Sequence, residues 1–189
     1  MSDYHVVLAA LGAAIGLASF VPYFRDIVRR TTKPHIFSWI LWTILVGTTF
    51  FIQIAEGGGA GAWVTGVEAL CCGAVAVFSY TRGEKNITRS DWACFLIALI
   101  AIVLWRFAQA PLLATLFVIF ADSLAFIPTF RKSLSKPHEE IASQYALSSL
   151  HWIFSILALQ SFALTTWLYP AWIGTFDAVL VATLLIRRR

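Results

Sequence analysis

Three acids sit where acids are costly. Glu68, Asp122 and Asp177 each lie inside a long apolar run. A charged carboxylate at the centre of a membrane helix costs roughly 2.5–3.5 kcal/mol. Three facing lipid would cost on the order of 10 kcal/mol, so they are expected to face a protein interior or to be protonated. Two of them share a context. Trp63-Val64-Thr65-Gly66-Val67-Glu68-Ala69 is echoed 109 residues later by Trp172-Ile173-Gly174-Thr175-Phe176-Asp177-Ala178. Two carboxylates in one cavity repel, which suits the pair to binding a proton or a cation. The plainer reading is a structural acid bonded to a neighbouring Ser, Thr or Trp. Asp122 has no acidic twin, since the position 106 residues earlier is Gly16. It precedes Pro128 by six residues, about 9 Å of helical rise, and is a candidate proton-coupling residue.

Four further residues could serve such a site. Trp39, Trp42, His151 and Trp152 fall in the inner halves of the second and sixth apolar runs, with Trp42 and Trp152 110 residues apart. Aromatic faces can wall a cavity and attract a cation, though each ring alone also reads as packing. His151 reads as a proton relay or as a hydrogen-bonded core histidine. Pro22 and Pro128 each remove a backbone donor near the inner end of a run, as a hinge or as a terminator. Cys71, Cys72 and Cys94 lie in apolar runs without Cys-x-x-Cys spacing, so no metal or redox site is expected. His35 and His138 each follow Lys-Pro and serve a turn. There is no Gly-x-Ser-x-Gly, no His-Glu-x-x-His and no dinucleotide fingerprint, so neither an enzyme nor a cofactor is expected.

The elements that position these residues are set by composition. The 189 residues are 59% hydrophobic and 13% charged, against about 25% charged in soluble domains. An integral membrane protein is expected. A helical span needs about 20 apolar residues. Seven fit: His5 to Phe24, Ile36 to Ala55, Gly61 to Tyr80, Asp91 to Phe107, Pro111 to Phe130, Ala142 to Ser161 and Thr165 to Ile186. With that count, all of the 14 Lys and Arg except Arg106 fall on one side. Positive-inside logic makes that side cytoplasmic, the N-terminus outside and the C-terminus inside. No basic residue precedes the first run, so it is taken as a span and not a signal peptide. Trp63, Trp105, Trp167, Tyr169 and Trp172 then form an outer aromatic belt. Gly57-Gly58-Gly59 is expected to be a flexible outer loop. The Asn86-Ile87-Thr88 sequon falls on the cytoplasmic side. The net charge of +4 sits at span ends, so nucleic acid is not an expected partner. Arg187, Arg188 and Arg189 read as an anchor on anionic lipid.

The chain also repeats itself. Phe20-Val21-Pro22-Tyr23-Phe24-Arg25 returns as Phe126-Ile127-Pro128-Thr129-Phe130-Arg131, and Lys33-Pro34-His35 returns as Lys136-Pro137-His138. Three echoes in one order indicate a duplicated unit. Residues 1–80 and 111–189 are the two triple-helix copies, and residues 81–110 hold the loop and linker helix that keep the copies parallel. Parallel repeats about an axis along the membrane normal are a transporter plan.

This three-plus-one-plus-three arrangement, with a proline-centred motif at the inner end of spans one and five, resembles the SWEET and PQ-loop transporter superfamily. The resemblance covers nearly the whole chain by architecture. The motif's prolines fall on Pro22 and Pro128, and its glutamines are replaced by Tyr23 and Thr129. The resemblance implies that Glu68 and Asp177 stand at the cavity-lining positions of spans three and seven. Sugar-transporting members carry a Trp in the outer halves of spans two and six, where this chain has Phe50-Phe51-Ile52 and Leu159-Gln160-Ser161. Together, resemblance and acids imply an alternating-access transporter of a small solute, cationic or zwitterionic rather than a neutral sugar, with proton coupling and homo-oligomerisation left open. The compact loops suit a bacterial inner membrane. A sugar facilitator, an intramembrane lipid-modifying enzyme and a membrane receptor are the alternatives.

Overall fold

A computed structural model describes residues 3–105 and 110–188. Arg106, Phe107 and Arg189 lie outside the described residues, as does the side chain of Trp105. Helices are the economical answer for such an apolar chain, because each satisfies its own backbone groups. The described residues form seven: α1 Asp3–Val28, α2 Ile36–Ala55, α3 Ala60–Arg82, α4 Arg89–Trp105, α5 Pro111–Ser135, α6 Ala142–Leu157 and α7 Leu164–Arg187. A single 3-10 turn, Pro137–Glu139, joins α5 to α6, and the described residues contain no strand. Five helices, α1, α2, α3, α5 and α7, are long and apolar enough to cross a membrane.

The surface is greasy, and the hydrophobic interior also holds buried polar and charged side chains, unlike a soluble domain. Leu70 and Val77 are 77% and 74% exposed, whereas Asp122 is fully buried and Lys132 only 2% exposed. α3 packs against both α1 and α2, and α7 packs against both α5 and α6. Across the molecule, α1 lies on α6 and α2 on α5, while α4 covers α5 and touches α2.

Several expectations need correction. The sixth apolar run reaches Ser161, but α6 stops at Leu157 after 16 residues, about 24 Å of rise. Residues 158–163 leave the helix to meet the glycine loop, and the Gln160 N–H donates to the Gly58 carbonyl at 3.3 Å. That loop is a fitted turn. Gly57 and Gly59 have positive φ, and a Cβ on Gly59 would lie 2.4 Å from the Gln160 side chain. Tyr169 does not belong to an outer belt either. It is fully buried, and its hydroxyl is 3.4 Å from Asp122.

Pro22 and Pro128 do not end their helices. α1 runs on to Val28 and α5 to Ser135. Next to Pro128, the Ser38 hydroxyl donates to the Ala125 carbonyl at 2.6 Å. A third proline, Pro170, deprives the Thr166 carbonyl of its helical donor. Gln53 replaces that donor from α2, its Nε2 lying 2.8 Å from the carbonyl.

At one end of the bundle the basic loops are tied together. Lys33 pairs with Glu139 at 2.7 Å, Lys136 with Glu84 at 2.8 Å and Arg131 with Asp91 at 2.6 Å. Arg82 donates to the Val28 carbonyl, and Arg188 to that of Pro137. The ends of α1, α3, α5 and α7 and the starts of α4 and α6 therefore share one network. His35, just before α2, is buried beside Asp91 at 3.3 Å, while His138 is exposed. Burial alone would raise the Glu84 carboxyl. The hydrogen bonds from Lys136 and from the backbone N–H groups of Asn86 and Lys85 instead hold it near 2, against an ordinary 4.5. A carboxyl lowered on folding contributes stability that is complete above about pH 4.5 and is lost as pH falls toward about 2. Glu84→Gln is expected to flatten that acid limb in melting scans between about pH 3 and 6. An unchanged slope would show that Glu84 does not contribute to it.

Candidate functional site

Four helices meet around one small interior cavity. Trp39 and Trp42 reach it from α2, Glu68 and Cys72 from α3, Gln144, Tyr145 and Ser148 from α6, and Ile173 and Asp177 from α7. Its volume is about 20 Å³, room for roughly one water. Glu68 and Asp177, 109 residues apart in the chain, thus share a wall. Each is only 4% exposed. Trp39 and Trp42 stack edge to face at 5.0 Å. Their indole Nε1 atoms and the Gln144 Oε1 are buried without a hydrogen-bond partner. The Trp42 indole lies beside Asp122 and the Trp39 indole beside Tyr23, so the polar groups that the cavity lining offers are the carboxyls of Glu68 and Asp177 with Gln144 and Ser148.

Helical phase explains which residues arrive. On α3 and α7 the lining residues come in pairs four apart, one turn of a helix. The two pairs match one to one at an offset of 105 residues, which sets Glu68 against Ile173 and Asp177 against Cys72. Measured from their helix starts, Asp177 lies about one turn deeper than Glu68. On α2 and α6, whose first residues are 36 and 142, the offset is 106. It pairs Trp39 with Tyr145 and Trp42 with Ser148, and all four line the cavity.

Trp152 does not line it. One turn beyond Ser148, its ring is closed in by His151 at 4.8 Å and by Tyr169 at 6.3 Å, edge to face with each. His151 also lies outside the wall, behind Glu68. Its Nδ1 is 2.9 Å from the Gly12 carbonyl and its Nε2 is 3.6 Å from Glu68 Oε2. Gly16 makes room for the ring, since a Cβ there would lie 2.7 Å from Nδ1. Asp122 is set apart from the cavity. One of its oxygens accepts from Tyr169, the other has no partner, and Trp42 and Trp172 flank it.

One end of the cavity has a floor. Tyr145 lines the cavity, and its hydroxyl donates to Glu140 Oε2 at 3.1 Å. Tyr23 donates to the same oxygen at 3.2 Å. The Lys132 ammonium holds the other Glu140 oxygen and the Lys33 carbonyl. Glu140 and Lys132 are 1% and 2% exposed, a buried ion pair directly beneath the tyrosines. The residue after each proline reaches across the bundle: Tyr23 of α1 to Glu140 ahead of α6, and Thr129 of α5 to Ser38 of α2 at 3.0 Å.

Residue type and spacing pass over Cys72, Gln144, Tyr145, Ser148, Lys132 and Glu140. The 106-residue offset of the proline copies, applied to Trp39 and Trp42, would have found Tyr145 and Ser148. The spacing Gly12-x-x-x-Gly16 would have marked the close approach of another helix to α1. Nothing in the spacing marks the Lys132–Glu140 pair. Comparison of the chain with protein-family models, with curated proteins and with solved structures finds no match.

Proposed function

We propose that the protein is a small-solute membrane transporter of the SWEET and PQ-loop kind, working by alternating access about the central cavity. The observation that carries the reading is that cavity: small, walled by four helices, and lined by the two buried carboxyls Glu68 and Asp177. Secondary transporters hold their solutes near the midplane between helical repeats. The packing of α3 with α1 and α2, and of α7 with α5 and α6, supports two triple-helix halves, residues 1–80 and 111–189, joined by α4. The gathering of basic residues at one end supports seven spans with that end in the cytoplasm. Mid-helix Pro22 and Pro128 suit bending during the rocking of the halves.

The solute is an amine or a zwitterion. Carboxylates accept from an ammonium, and the rings of Trp39 and Trp42 in the cavity wall suit a cation. A neutral sugar would leave an ionised carboxylate in the cavity uncompensated. In the volume observed only about one water fits, so the cavity must widen to admit solute. The conformation described is closed, with the Tyr23, Tyr145, Glu140 and Lys132 floor shut.

Thermal stability of the purified protein against sugars, amino acids and amines tests this. A ligand at 100 times its Kd raises stability by about 2.7 kcal/mol. Stabilisation by an amine or amino acid, lost when Glu68→Gln and Asp177→Asn are combined, is expected. Stabilisation by a sugar that ignores both substitutions would make the acids structural and the protein a sugar facilitator. A panel without effect would remove the solute reading.

A further inference from the structure

The Glu68–His151 contact fixes more than a position. A backbone carbonyl can only accept a hydrogen bond, so the His151 Nδ1 that lies 2.9 Å from the Gly12 carbonyl carries a proton. In the neutral ring Nε2 is then a bare lone pair. That lone pair is buried, has no hydrogen-bond partner, and faces Glu68 Oε2 at 3.6 Å. An ionised Glu68 beside a neutral His151 would set lone pair against lone pair in a site nearly sealed from water, and buried polar groups without partners are costly. One proton between the two atoms removes the conflict. Contraction by about 0.6 Å would bring them to ordinary hydrogen-bond distance.

We propose that Glu68 and His151 hold a single proton between them and form the protein's proton-binding site, with Asp177 across the same cavity. The pair is neutral when it holds the proton, whether the proton rests on the carboxyl or on the ring. Loss of that proton adds one negative charge to the cavity wall beside Asp177 and favours a bound cation. The titratable neighbours are Asp177 on α7, Cys71 and Cys72 on α3, Tyr145 on α6 and, further off, Asp122 on α5. From α1 the ring meets Gly12 and Gly16. Because Asp177 and the pair share one small cavity, a bound cation and the shared proton repel. Each lowers the affinity for the other by the same factor, the reciprocity that linkage demands. Proton and solute are therefore exchanged, not co-bound.

The coupling clause rests on the transporter reading, and the proton site does not. It is tested on full-length protein in lipid bilayers with protons as the only probe. Infrared difference spectra across a pH titration are expected to show a carboxylic-acid band that vanishes at high pH, is absent in Glu68→Gln, and shifts its midpoint by about one pH unit or more in His151→Gln. Nitrogen-15 spectra of histidine-labelled protein are expected to show His151 protonated at Nδ1 throughout, with Nε2 changing in step with the carboxyl band. A midpoint unmoved by His151→Gln, or a His151 ring that titrates identically in Glu68→Gln, would overturn the proposal. Both measurements use near-isosteric amides, and the wild-type nitrogen spectrum decides the tautomer without any variant. A shared titration together with a solute panel without effect would keep the proton site and remove only the transporter.

Discussion

Protein carrying both Glu68→Gln and Asp177→Asn, reconstituted in liposomes, is expected to lose uptake of its amine or zwitterionic solute by about 1,000-fold. A charge-assisted hydrogen bond contributes about 1.5–3 kcal/mol, and each 1.4 kcal/mol is tenfold, so two such bonds account for about that factor. The fold is expected to survive. Both carboxylates are buried, and amides of the same shape remove the cost of desolvating charge without opening a hole. The double variant should therefore melt at or above the wild-type temperature while losing counterflow. Retained counterflow in a well-folded double variant would remove the site. Each single amide variant is expected to lose only part of that factor.

Lys132→Met is expected to be the most destabilising single substitution on the basic side. Lys132 and Glu140 form an ion pair of which almost nothing reaches water. Removing one partner of such a pair leaves a buried charge uncompensated and costs about 3–5 kcal/mol. Tyr23 and Tyr145 still donate to Glu140, so the loss should fall in the lower half of that range. Replacing both partners, Lys132→Met with Glu140→Leu, is expected to recover part of the stability, since a buried pair exchanged for apolar groups is often neutral. The two tyrosine hydroxyls then lack an acceptor, which keeps the recovery incomplete. Denaturant midpoints of the three proteins in one detergent would decide it. A single variant as stable as wild type would show that the pair does not hold the floor.

Periodicity and charge make the helices legible. Apolar runs of about 20 residues separated by short loops, alternate ones basic, leave little choice of element, and the boundaries of α2 are legible to the residue. The prolines mislead over helix ends because a proline disturbs only the turn before it, and an apolar helix with a side-chain donor nearby continues past it. Glu68 and Asp177 are legible as a pair because acids in apolar runs are rare. Trp152 is misplaced for a reason of phase: at an offset of 110 it matches Trp42 by residue type, but the helices match at 106. The same reasoning explains why Trp63 and Trp172 differ in place, the first exposed and the second half-buried against Phe176. The floor is invisible in the sequence because Lys132 and Glu140 look like ordinary loop charges until the tyrosines cover them.

The floor is also one-sided. The position 106 residues before Lys132 is Asp26, which is turned to the exposed Arg25. Two copies of residues 1–80 placed face to face would thus lack the buried ion pair altogether. The latch is divided unevenly: Tyr23 of α1 brings a hydroxyl, and Lys132 with Glu140 brings the charges that it closes on. Separately expressed halves should regain stability only as the unlike pair, and fusing either half to itself should not rebuild the molecule.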